Sequence, residues 1–171
     1  MKKLSIILLM MVSTSMIYAQ ETPLTRKERK AAQNTQLVEK NKALVHSGAW
    51  QFDATQMIPS SGRSRTLTSS YRVIINNSGI DSYLPFYGRA YRVEYGSTDS
   101  PLSFKGEISD LRVEDWEKGG WVISFKTESK NDRLEYTFHI GETGSATLNV
   151  NSTNRQQISF YGDLTETDGE R

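Results

Sequence analysis

The spacing of apolar residues changes at Ala49, from steps of three and four residues to alternation with polar residues. The first spacing is typical of one face of an α-helix, and the second of a β-strand with one buried face. Short polar turns separate the alternating segments through the rest of the chain. The sequence therefore predicts one helix followed by antiparallel strands, which is a mainly β protein.

The helix is predicted over residues 25–46. Thr25 and Glu28 have the spacing of a capping box, and Gly48 supplies a left-handed helix end. The helix is more basic than the rest of the chain, which is typical either of a solvated face or of a surface that binds anionic lipid or nucleic acid. We favour the solvated face and expect no nucleic acid partner. Its apolar side comprises Ala31, Leu37, Val38, Asn41, Leu44 and Val45.

About eight strands are predicted after the helix, joined by turns such as Asn76-Asn77-Ser78-Gly79. The longest predicted loop runs from Thr55 to Thr66, and a strand is predicted to start at Phe86. Strands of this kind bury their apolar faces on one another. We expect an antiparallel meander that closes into a barrel or sandwich, with the amphipathic helix at one end or edge.

The first residues have the composition of a secretory signal peptide. Lys2 and Lys3 precede an apolar run, and Ala19 marks the predicted cleavage point. The run is shorter than a membrane span, and without a cysteine the chain has no lipid attachment site there. We expect a signal at 1–19, a helical region at 20–48, a β domain at 49–164 and a disordered tail at 165–171. The protein should be exported to the periplasm, cell surface or medium and be soluble after cleavage, with no transmembrane segment.

Familiar catalytic and cofactor motifs are absent from the sequence. It has no phosphate-binding loop, nucleophile elbow or zinc-binding histidine pair, and the absence of cysteine excludes thiol chemistry. We predict no catalytic residue, metal or cofactor. The alternative is a hydrolase with two carboxylates across a cleft. Its acids would come from Asp81 or from a cluster that also suits a solvated hairpin, Asp110, Glu114, Asp115 and Glu117.

Aromatic residues and arginine alternate in the segment that follows Pro85. In a regular strand Tyr87, Arg89, Tyr91 and Tyr95 share one face. An arginine among tyrosines can present its planar donors to a carboxylate or phosphate. Alternatively, the tyrosines edge the core and Arg89 pairs with an internal acid.

Small polar residues dominate the segment 149–155. Asn154 and Arg155 lie in it, where such residues either build a turn or form a polar loop that binds sugar hydroxyls. Together with the aromatic segment, they define a candidate ligand-binding site. Its residues are Tyr87, Arg89, Tyr91, Tyr95, Asn154 and Arg155.

Four short runs resemble three motifs of the domain-of-unknown-function family numbered 4251. The run 83–91, Tyr-Leu-Pro-Phe-Tyr-Gly-Arg-Ala-Tyr, is similar to its central signature, with Phe86 and Tyr87 in swapped order. The runs 150–155 and 158–162 are similar to its closing motif, and 62–64 to an earlier one. The resemblance covers Leu37 to Leu164. It implies a single domain of a small exported bacterial protein and transfers no activity.

The leading hypothesis is a non-enzymatic module that binds an unidentified small ligand or exported protein partner. A strongly β scaffold offers a barrel mouth or cleft, and catalytic groups are scarce. The alternatives are the hydrolase and a structural or inhibitory partner of another exported protein.

Overall fold

The computed structural model describes residues 25–60, 62–91, 100–129 and 132–167. The predicted signal peptide, Tyr95 and the last residues of the predicted tail lie outside these ranges. The described residues form one helix and nine strands, which confirms the mainly β class predicted with about eight strands. The elements are α1 (Arg26–Ser47), β1 (Ala49–Pro59), β2 (Arg65–Asn76), β3 (Gly79–Tyr83), β4 (Ser103–Glu107), β5 (Ser109–Asp115), β6 (Trp121–Ser129), β7 (Asp132–Ile140), β8 (Ser145–Ser152) and β9 (Ile158–Thr165).

The predicted capping box forms at the start of α1. The backbone N–H of Thr25 donates to Glu28 Oε2 over 2.8 Å, and the N–H of Glu28 donates to Thr25 Oγ1 over 3.3 Å. These backbone and side-chain hydrogen bonds from Thr25 hold the pKa of Glu28 below its usual value. The helix therefore begins where its sequence predicts.

The C-terminal half of α1 packs on the β domain. Val45 is buried with the core, and the amide of Asn41 donates to the carbonyl of Glu142 over 2.9 Å, in the turn between β7 and β8. Gly48 then takes a φ of 69° and leads directly into β1. Leu37, predicted on the apolar side, is 40% exposed, so the packed face is narrower than its sequence suggests.

All strands pair antiparallel in the order β4-β3-β2-β1-β9-β8-β7-β6-β5. The two ends of this sheet, β4 and β5, are consecutive in sequence and separated only by Ile108. At Gly106 the chain passes so close to β6 that an added Cβ would lie 3.0 Å from Thr127 Oγ1. The sheet therefore curls into a nearly closed barrel, which agrees with the predicted meander.

Large side chains fill the interior of the barrel. Trp50 and Phe138 pack edge to face with ring centroids 4.9 Å apart, and Phe125 stacks on Tyr136 at 5.4 Å. The Tyr136 hydroxyl lies 3.2 Å from Ser82 Oγ, and burial raises the pKa of this phenol. These buried side chains form the core of the described part of the chain.

Two sequence predictions, one of a loop and one of a strand, are wrong. The loop predicted from Thr55 to Thr66 is mostly strand, since β1 extends to Pro59 and β2 begins at Arg65. Thr55 lies instead at a register shift in β1, which leaves the pairing with both neighbouring strands intact on either side. The strand predicted from Phe86 is absent, because the described chain after Tyr83 follows an irregular path to Tyr91.

Candidate functional site

The irregular segment 84–91 is attached to the turn that joins β8 to β9. The N–H of Tyr91 donates to the carbonyl of Asn154 over 2.7 Å, and the N–H of Gln156 donates to the carbonyl of Arg89 over 3.1 Å. The N–H of Arg89 in turn donates to Gln156 Oε1 over 3.2 Å. The structure thus brings together the two segments that the sequence analysis singled out.

Asp132 organises this turn from the first position of β7. Its carboxylate accepts hydrogen bonds from Ser152 Oγ at 2.7 Å and from the N–H of Asn154 at 3.2 Å. It also forms an ion pair with Arg155. The side chains of Asp132 and Arg155 are only 6% and 17% exposed. Arg155, a predicted ligand contact, therefore already has a largely buried carboxylate partner.

Tyr87, Arg89 and Tyr91 lie on the outside of the protein. Tyr87 is 51% exposed and Tyr91 is 68% exposed. Arg89 is exposed, and its guanidinium forms no ion pair with a carboxylate in the described ranges. The alternative in which Arg89 pairs with an internal acid is thus absent from the described part of the chain.

Sequence reasoning missed Arg65, the first residue of β2. Its guanidinium carbon lies 4.9 Å from the centroid of the Tyr87 ring, which is the geometry of a cation–π contact. No described carboxylate pairs with this guanidinium either. Its neighbours Gly62-Arg63-Ser64 were a possible signal, because they resemble an early family element. We call Arg65, Tyr87, Arg89 and Tyr91 the arginine–tyrosine surface.

The acidic cluster of the hydrolase alternative lies on the surface of the described part of the chain. The cluster members Asp110, Glu114, Asp115 and Glu117 are all exposed. Asp110 accepts a hydrogen bond from Lys126 Nζ at 2.8 Å, and this bond and charge hold the pKa of the Asp110 carboxyl below its usual value. Asp81 likewise pairs with Lys105 at 2.9 Å.

A cavity of about 330 Å³ lies beside Asp110. Its acids are Asp110 and Glu128, and each contacts a cation, Lys126 at 2.8 Å and Arg133 at 3.4 Å respectively. Both carboxylates of this cavity are therefore paired with a neighbouring cation. The remaining lining residues are Ser109 and Thr127.

The two histidines lie in different environments. His46 is exposed in the last turn of α1, while His139 is half-buried with its ring centroid 5.3 Å from that of Trp116. Across the described ranges, no three His, Asp or Glu side chains are grouped as a metal site. No helix in those ranges has the length and apolar character needed to cross a membrane.

Comparison with known proteins places the chain in a family. Residues 32–164 match the family described as a domain of unknown function, DUF4251. The chain belongs to this family. No curated protein matches the sequence. Among solved structures, it is similar to a DUF4251 family protein from Bacteroides eggerthii DSM 20697, with a TM-score of 0.60 and 16% sequence identity. The alignment covers 81% of this chain and 93% of that protein, which supports a shared fold for the DUF4251 domain.

Proposed function

We propose that this DUF4251 protein is an exported, non-enzymatic binding module that holds an anionic ligand on the arginine–tyrosine surface. The observation that carries the proposal is the contact between Arg65 and Tyr87. The ring orients the guanidinium at 4.9 Å, and no described carboxylate neutralises it. A guanidinium that is positioned but not paired is suited to receive a carboxylate, sulfate or phosphate in two parallel hydrogen bonds.

The aromatic rings add a second kind of contact. Tyr87 and Tyr91 expose half or more of their surface, and the Tyr87 ring lies against Arg65. Tyrosine presents large, rigid area at a low cost in conformational entropy, so it suits the recognition of a flat or apolar ligand face. A ligand with an anionic group attached to a ring or an apolar chain would use both kinds of contact.

The backbone of the surface is held in place before any ligand arrives. Arg89 and Tyr91 are attached by main-chain hydrogen bonds to the turn that Asp132 organises. Such preorganisation reduces the entropy lost on binding. In this proposal Asn154 and Arg155 contribute by positioning Arg89 and Tyr91.

The test is thermal unfolding of the purified protein with ligands that differ mainly in charge. Suitable pairs are neutral and carboxylated sugars, neutral and sulfated sugars, and bile acids with their uncharged analogues. A ligand at about a hundred times its dissociation constant stabilises the native state by roughly 2.7 kcal/mol. We expect this stabilisation only from the anionic member of a pair.

Arg65→Met and Arg89→Met should each remove the stabilisation while leaving the unfolding temperature without ligand unchanged. Arg29→Met is a matched control, since Arg29 is an exposed arginine on α1. Equal stabilisation by neutral ligands would contradict the proposal. So would a large loss of stability in either variant without ligand, because that result would assign the arginine a structural role.

Export is a separate part of the proposal and has its own test. If residues 1–19 are a signal peptide, the mature protein recovered from outside the cytoplasm should begin at Gln20. Mass spectrometry of the intact protein measures this directly. A protein that retains Met1 and remains in the cytoplasm would contradict export without affecting the binding result.

A further inference from the structure

The free edge of β5 is the most exposed stretch of regular structure in the β domain. Every residue of Ser109–Asp115 is exposed, and among the described strands β5 pairs only with β6 because it ends the sheet. An unpaired edge presents backbone N–H and C=O groups that can pair with another strand. In the described ranges, the other end of the sheet differs, since β4 lies against β6 at Gly106.

The side chains at the end of β5 alternate between two faces, with Val113 and Asp115 on the core face, opposite Ile123 and Trp121, and Arg112 and Glu114 on the other. Val113 lies opposite Ile123, whose side chain is buried in the core, and yet Val113 is 44% exposed. Arg112 and Glu114 lie opposite Ser124 and Val122 and point to the other face. The core face of the sheet thus continues onto β5, where Val113 remains exposed in the described part of the chain.

The register of β5 limits how a partner strand can pair with it. Its pairing with β6 shifts between Ser109 and Arg112, where Asp110 has a positive φ of 55°. Such a bulge interrupts regular pairing. The usable edge is therefore Arg112–Asp115, which is short.

We propose that a second copy of this chain pairs with this edge, antiparallel, with Val113 opposite Val113 of the other copy. This register places Arg112 of each copy opposite Glu114 of the other, so both charge pairs are attractive while the two Val113 side chains meet on the core face. Opposite charges across a strand pair stabilise it, and like charges destabilise it. Moving the register so that Arg112 faces itself would also place Asp110 opposite Glu114. The charges therefore select one pairing, and its small area makes the dimer weak and reversible.

The test is sedimentation velocity of the purified protein over a wide concentration range. The wild type should show a monomer–dimer equilibrium. Arg112→Glu and Glu114→Arg each create two like-charge pairs and should raise the dissociation constant at least about tenfold. The double variant Arg112→Glu/Glu114→Arg restores opposite charges and should restore dimerisation.

Glu117→Arg is the matched control, because it makes the same change of charge in the exposed turn after β5. It should leave the equilibrium unchanged. The proposal is overturned if the wild type stays monomeric at the highest concentration, if the single variants associate as the wild type does, or if the folded double variant fails to associate. Thermal unfolding of each variant confirms that it is folded.

Discussion

Arg155 and Asp132 form an ion pair that is largely buried beneath the turn joining β8 to β9. The same carboxylate accepts hydrogen bonds from Ser152 and from the backbone of Asn154. A single acid from β7 therefore holds both the turn and its arginine. Because Arg89 and Tyr91 are hydrogen-bonded to this turn, the pair also supports the proposed ligand surface.

Asp132→Ala should lower the free energy of unfolding by about 3 kcal/mol, because it leaves the Arg155 guanidinium mostly buried without its counter-charge. Urea unfolding measures the loss. The double variant Asp132→Ala/Arg155→Met removes the uncompensated charge and should recover part of it. A double variant less stable than Asp132→Ala would contradict this account.

The helix and most strands could be predicted because their signals are local. Alternation around Trp121, Ile123 and Phe125 puts these side chains on one face whatever the rest of the chain does, and all three are buried in β6. The closure of the sheet could not be predicted from local sequence signals. It depends on the approach of Gly106 to Thr127, and nothing in the sequence near either residue marks the other.

Gly162 allows close contact between β9 and β1 at the register shift near Thr55. A Cβ at this position would collide with the carbonyl of Asp53 and lie 2.9 Å from a ring carbon of Phe52. Since these are backbone and core atoms, they cannot move aside. Gly162→Ala should destabilise the protein by about 3 kcal/mol, measured by urea unfolding.

Gly79→Ala is the control for Gly162. Its added Cβ would be no closer than 3.7 Å to any neighbouring atom, so the substitution should change stability little. Similar losses for the two glycines would show that backbone flexibility of the unfolded chain, rather than the contact with β1, determines the effect.

Tyr136 should make the protein sensitive to alkaline pH. Burial raises its pKa, so the folded state keeps the phenol neutral at a pH where the unfolded chain loses the proton, above about 10. The contribution of Tyr136 to the free energy of unfolding is complete below that pH and is lost as the pH rises. The free energy of unfolding of the wild type should therefore fall with alkaline pH.

Tyr136→Phe should reduce this fall, at a cost near neutral pH of about 1 kcal/mol for the lost bond to Ser82. Ser82 keeps its hydrogen bond to the carbonyl of Leu102 at 2.8 Å, so no buried group is left unpaired there. Tyr161→Phe, on the exposed face of β9, is the control. Equal alkaline slopes for Tyr136→Phe and the wild type would contradict the prediction.

Lys126 should determine the acidity of Asp110. Its hydrogen bond and positive charge lower the pKa of the Asp110 carboxyl. The pair therefore stabilises the folded state above the ordinary pKa of aspartate, and this stabilisation is lost as the pH falls through the lowered pKa. Lys126→Met should raise the pKa of Asp110 towards about 3.9. NMR titration of the carboxyl carbon measures the shift, and Lys118→Met should leave it unchanged. An unaltered titration in Lys126→Met would assign the low pKa to another cause.

The candidate site was only partly predictable for a physical reason. The local composition around Tyr87 and Arg89 indicated a candidate site. Their placement on one face, however, was predicted for a regular strand. The described chain is irregular there, and its path is determined by hydrogen bonds to Asn154 and Gln156, far along the sequence. Arg65 enters the site from β2 through contact with Tyr87, so its role follows from tertiary structure alone.

Arg65→Lys separates charge from geometry at the proposed site. The substitution keeps a positive charge but removes the planar fork of donors and weakens stacking on the Tyr87 ring. If an anionic ligand is bound by paired hydrogen bonds, Arg65→Lys should weaken binding at least about tenfold, close to the effect of Arg65→Met. Calorimetric titration with the anionic ligand found by thermal unfolding measures both variants. Binding by Arg65→Lys at wild-type strength would mean that the surface attracts anions by charge alone, without the directional contact that Tyr87 supports.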